Sequence, residues 1–139
     1  MTEAGLAMLK EHEGLRLVAY RCPAGKWTIG YGHANKVHEG DTCTEDEAEG
    51  YLLYDVAVAE RDANALLSCF PSLSPRRQDA IANLAFNLGR TKLAKFTTTL
   101  NYIRTGKFQA AADSLSRTKW ARDVGPNRAR DITAAIKEG

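Results

Sequence analysis

A chain of 139 residues, 44% hydrophobic and 26% charged, has the size and composition of one globular domain with a real core. No apolar run approaches the roughly 20 residues that span a bilayer, and the opening MTEAGLAMLKEHEG lacks the basic-then-apolar pattern of a secretory signal. Synthesis in the cytosol, without stable membrane insertion, is therefore expected. The net charge of +2 is unevenly spread: residues 1–73 carry 6 Lys/Arg and 12 Asp/Glu, a balance of −6, whereas residues 74–139 carry 13 and 5, a balance of +8. A basic half can attract a polyanion such as nucleic acid or an acidic wall, or can simply be a solvated helical surface. No nucleic-acid-reading motif accompanies the charge, so nucleic acid is not an expected partner.

In chain order, residues 3–13 suit a short helix with Leu6, Ala7 and Leu9 on its apolar side and Gly14 just past its end. From Leu15 to Ala34 the pattern turns to β. Leu15, Leu17 and Ala19 alternate with Arg16 and Val18, Cys22-Pro23-Ala24-Gly25 supplies turn chemistry, and Trp27-Thr28-Ile29 is a second β-prone run. This hairpin is expected to be the only sheet. Thr44 and Glu47 form a capping box that opens a long helix, with Ala48, Leu52, Val56, Ala59, Ala63 and Leu66 on one face. Phe70-Pro71-Ser72 ends it. Ser74-Pro75 restarts helix, with Ile81, Leu84, Ala85 and Leu88 apolar and Gly89 closing. Shorter helical pieces are expected near 97–104, 107–116 and 126–137, separated at Gly106 and Gly125-Pro126. The sequence thus predicts an α+β fold with one domain over 1–139: a β-lobe at about 14–43, a connecting helix at about 44–67, and a helical lobe at about 74–139 packed with helix 3–13. Clefts between lobes are common ligand sites.

Three widely spaced cysteines, Cys22, Cys43 and Cys69, form no CxxC pair or His/Cys cluster. Neither a disulfide framework nor a metal site is expected, and no cofactor is implied.

Residues Glu13 to His33, EGLRLVAYRCPAGKWTIGYGH, carry the densest chemistry. Glu13 ends its helix, where the macrodipole is negative and suits a carboxyl group that keeps its proton. The spacing is Glu13, eight residues, Cys22, five residues, Thr28, then Ile-Gly-Tyr-Gly-His. It resembles the active-site segment of the phage-type lysozymes of glycoside hydrolase family 24. FNLGRTKLAKFTTTL (Phe86–Leu100) and KWARDVGPNRARDITAAI (Lys119–Ile136) resemble two later blocks of that family in the same order. The resemblance covers most of the chain, with a shorter loop at 36–43.

The resemblance implies a lysozyme-like fold and a muramidase, cleaving the β-1,4 bond between N-acetylmuramic acid and N-acetylglucosamine in peptidoglycan during host lysis. It implies that Glu13 protonates the glycosidic oxygen and that Thr28 helps hold the attacking water. Family members usually carry Asp where this chain has Cys22, although some carry cysteine. A free thiol titrates at about 8.5 and is only slightly ionised at neutral pH unless its site intervenes. Cys22 could serve as base, nucleophile or electrostatic stabiliser, or could be a small packing residue. The resemblance further implies that Arg128 reaches the catalytic acid, that His33 pairs with Asp55, and that Ala34, Phe86, Thr99 and Ser114 line the sugar-binding surface. Phe86 also sits on a core-like helix face. The protein is expected to act as a monomer on the peptidoglycan glycan strand in the periplasm, leaving the cytoplasm through a separate membrane pore, a holin. The rival expectation is a non-catalytic wall-binding or scaffolding module with a degenerate site.

Overall fold

The computed structural model describes residues 1–139. In chain order the elements are α1 (Glu3–Glu13), β1 (Arg16–Arg21), β2 (Trp27–Gly30), α2 (Glu45–Leu66), a 3-10 turn (Phe70–Ser72), α3 (Pro75–Leu88), α4 (Arg90–Leu93), α5 (Thr97–Arg104), α6 (Phe108–Ser116), α7 (Lys119–Asp123) and α8 (Pro126–Glu138). Eight helices and one two-stranded antiparallel sheet make the architecture α+β, as the sequence predicts. No helix is long and apolar enough to cross a membrane. The chain forms two compact units, Ala7–Ala57 and Met1–Leu6 with Val58–Gly139, so the divisions fall inside α1 and α2.

In the Ala7–Ala57 unit, the hairpin turn closes where Gly25 N–H donates to Cys22 O at 2.8 Å, with Gly25 at φ +83°. The register runs Arg16 opposite Gly30 and then Tyr20 opposite Thr28, so β1 holds two residues more than β2 between these pairs. This bulge overturns the strict alternation expected of β1. Leu15 and Ala19 pack against Ile29, Cys43 and Ala48, but Leu17 and Val18 are exposed. The bulged segment instead pairs along its other edge: Ala19 N–H donates to Asp41 O and Cys43 N–H to Leu17 O. An extra-residue bulge trades ladder bonds for a bend, and here residues 41–43 satisfy the freed groups.

The capping box forms at the start of α2, with Glu47 N–H donating to Thr44 Oγ1 at 3.1 Å and Thr44 N–H to Glu47 Oε1 at 3.0 Å. Ala48, Leu52, Val56, Ala59 and Ala63 are all buried along one stripe. The stripe ends at Leu66, partly buried against the core as expected, and at Leu67, fully buried just past the helix end.

The larger unit is a helical core. Leu67, Ile81, Leu84, Leu93, Leu115, Ile132 and Ile136 are essentially without solvent exposure. Ser74 caps α3 by accepting from Arg77 N–H, with Pro75 in the first turn. Trp120 packs in this core and donates its indole N–H to Asn87 Oδ1 at 2.8 Å. Helices α4 and α7 were not legible in the sequence; four or five residues are too few to show a helical period.

Candidate active site

The Glu13–His33 segment lies wholly within the Ala7–Ala57 unit. Glu13 is the last residue of α1 and is half-buried. Its carboxylate lies against Gly32: a Cβ built on Gly32 would collide with Glu13 Oε1 and stand 3.1 Å from Cδ. Gly32 also has φ +77°, a left-handed conformation that L side chains avoid. The glycines of Gly30-Tyr31-Gly32-His33 therefore do separate jobs. Gly32 leaves room for the acid, whereas a Cβ on Gly30 would stand 3.2 Å from Ala48 Cβ on α2.

Cys22 begins the hairpin turn, and the Thr28 side chain on β2 reaches its sulfur. Thr28 is buried and donates its hydroxyl proton to Lys26 O at 3.0 Å. The Cys22 thiol is held below the ordinary thiol range, first by the Lys26 backbone N–H. Burial opposes this, and the Ala24 N–H, the Thr28 hydroxyl and the N–H of Cys22 itself support it. Donors aimed at sulfur favour the thiolate, the form that acts as base or nucleophile.

Tyr20, which sequence reasoning did not single out, lies within electrostatic reach of both the acid and the thiol. Its phenol is pushed up by burial and then by the charges of Glu13 and of Cys22, against the pull of Arg16. The Arg16 guanidinium stacks 4.3 Å from the Tyr20 ring centroid. One tyrosine thus feels both candidate groups. Only the hairpin register, which sets Tyr20 opposite Thr28, could have exposed it.

His33 Nδ1 lies 2.8 Å from Asp55 Oδ2, and its buried ring stacks on Tyr51 with centroids 4.5 Å apart. Ala34 follows on the exposed surface.

The remaining expected residues belong to the helical unit. Thr99 on α5 and Ser114 on α6 share a hydrogen bond of 2.7 Å and line one cavity of about 430 Å³ with Lys95 and Arg117. Phe86 packs against the core of this unit. Arg128, in the first turn of α8, is buried, and donates through Nε and Nη2 to Asn83 Oδ1 at 3.2 and 2.9 Å. That burial excludes the surface arginine that a basic helix would suggest. Asn83 is the partner the sequence did not reveal, since an Asn within an apolar helical stretch carries no local signal. No group of three His, Cys, Asp or Glu side chains converges as a metal ion would require.

A family model described as phage lysozyme matches residues 10–132. The chain is 37% identical over 137 residues to the endolysin of Acyrthosiphon pisum secondary endosymbiont phage 1, covering 99% of this chain and 90% of the relative. It is 36% identical over 115 residues to the endolysin of Salmonella phage P22, covering 79% and 77%. It is also 35% identical over 128 residues to the endolysin of Bacillus phage B103, covering 90% of this chain but 47% of that longer protein. With a two-stranded hairpin, a capped long helix and a helical unit carrying the later sequence blocks, the chain belongs to the phage lysozyme family and is a lysozyme-type glycoside hydrolase.

Proposed function

We propose that the protein is a phage endolysin that hydrolyses the β-1,4 bond between N-acetylmuramic acid and N-acetylglucosamine in peptidoglycan. The observation that carries this reading is the clustering of Glu13, Cys22 and Thr28 around one hairpin, with Gly32 clearing space for the acid and backbone donors on the thiol. In this reading Glu13 delivers its proton to the glycosidic oxygen as the C–O bond breaks. The one proton of Thr28 is shared between Lys26 O and the Cys22 sulfur, and Oγ1 offers lone pairs that hold a water by one of its hydrogens. That water attacks the anomeric carbon from the opposite face, and the Cys22 thiolate takes the proton it releases. The product has inverted configuration, and before the next turnover the thiol gives its proton to solvent and the Glu13 carboxylate takes one up.

Arg128, fixed by Asn83, is the supporting cation, and Ala34, Phe86, Thr99 and Ser114 contribute to the sugar-binding surface. We also propose that the enzyme acts as a monomer on the wall after release through a separate membrane pore.

The test is release of reducing ends from purified peptidoglycan by wild type, Glu13→Gln and Cys22→Ala, with NMR of the product anomer. Loss of activity in both variants and an inverted product support the reading. Full activity in Cys22→Ala, or a retained product, refutes the role given to the thiol. No release by wild type, with wall binding intact, favours a binding module instead.

A further inference from the structure

A second cavity, of about 380 Å³, opens in the Ala7–Ala57 unit, and none of Glu13, Cys22 and Thr28 lines it. Its buried side is His33, oriented by Asp55 and stacked on Tyr51, so the floor is a fixed aromatic surface rather than a mobile one. Its rim holds Tyr54, which is 60% exposed, beside Asn35, Lys36 and Asp41. A tyrosine ring left this open has most of its apolar face in water and gains from any flat apolar ligand.

The loop beside the cavity turns at Asn35-Lys36, and Lys36 takes the positive φ of 57° that such a turn position requires. Asp41 anchors the loop by accepting the His38 backbone N–H on Oδ2 at 2.8 Å. Its second oxygen and the Asn35 side-chain amide make no hydrogen bond within the protein, so both remain available to a ligand.

Charge decides among ligand classes. The lining carries one lysine and one aspartate, with Asp55 beneath His33. A polyanion would meet as much negative as positive charge, and a cation would lack a converging set of ligands. What fits is a neutral ring with one apolar face and a periphery of hydroxyl and amide groups. The volume is in the range of small-ligand sites.

We propose that this cavity is a second, non-catalytic carbohydrate site that takes an N-acetylated amino-sugar ring, stacked on Tyr54 and hydrogen-bonded by Asn35 and Asp41. The assignment of that ring to the peptidoglycan strand rests on the substrate reading above. Such a site would hold the enzyme on the insoluble wall between cleavages.

The test titrates the full chain with the soluble β-1,4 trimer of N-acetylglucosamine, which lacks a muramic acid bond, and follows backbone amides by NMR. The amides of Asn35, Lys36, Thr42 and Tyr54 should shift with a Kd on the order of 1 mM. Tyr54→Ala should weaken that phase about tenfold, and Asn35→Ala should weaken it as well. Shifts at Cys22 and Thr28 should keep their wild-type affinity in both variants. An unmoved 35–42 loop at roughly ten times that concentration overturns the proposal. So does a loop response that Tyr54→Ala leaves unchanged. Reducing-end release by wild type reports on the active-site reading independently. Absent release with Tyr54-dependent shifts intact would sink that reading and leave the carbohydrate site standing.

Discussion

Replacing Gly32 with alanine separates two consequences of one methyl group. The first is backbone strain: at φ +77° an L residue costs about 1–2 kcal/mol, or a fall in Tm of about 3–8 °C for a chain of this size. The second is local. The new Cβ occupies the place of Glu13 Oε1, and ordinary van der Waals contact would require the carboxylate to withdraw by about 1 Å. Because Oε1 is the far end of a flexible side chain, this withdrawal adds little to the loss of stability. For a catalytic acid, however, a misplacement of about 1 Å can reduce the rate roughly a hundredfold. Gly106→Ala is the matched control, since Gly106 has φ +73° and a Cβ there would meet nothing within 4 Å. Thermal unfolding should show similar losses for the two variants, while reducing-end release should fall about a hundredfold further in Gly32→Ala. If Gly32→Ala keeps the activity of Gly106→Ala, Gly32 is not what makes room for a working acid.

Four further outcomes are expected. Iodoacetamide should label Cys22 with a pH midpoint below that of a free thiol, while Cys43, whose thiol burial pushes up, should label only at higher pH; the reverse order would contradict the donor arrangement at Cys22. Because the folded Cys43 value is raised, its contribution to stability is complete below the unfolded thiol value and is lost as pH rises through the folded one. Cys43→Ala should therefore flatten the alkaline limb of stability against pH, and an unchanged limb would refute the assignment. Asp55→Asn should cost about 1–3 kcal/mol in urea unfolding, because it weakens the partner of a buried His33; a loss below about 0.5 kcal/mol would make the pair incidental. Asn83→Leu should cost about 2–3 kcal/mol by removing the shared acceptor of the buried Arg128 guanidinium, and an unchanged unfolding midpoint would show that Arg128 does not depend on it.

Much of this protein was legible in one dimension. The Thr44–Glu47 capping box, the Ser74-Pro75 restart, the hairpin turn at Cys22–Gly25 and the buried stripe of α2 are local signals, because turn chemistry and helical period act over a few residues. The Glu13, Cys22 and Thr28 spacing is equally local, and its resemblance to a known family's segment suggested the candidate chemistry before any fold was known. Tertiary structure decided what depends on distant partners. The bulge that exposes Leu17 and Val18 exists because residues 41–43 pair with the far edge of β1. The burial of Arg128 depends on Asn83, 45 positions away. Gly32 owes its meaning to the carboxylate that comes to rest against it, and the Tyr54 cavity to a loop folded over α2. Periodicity reports which face of an element is apolar; only packing determines which group from elsewhere in the chain that face will meet.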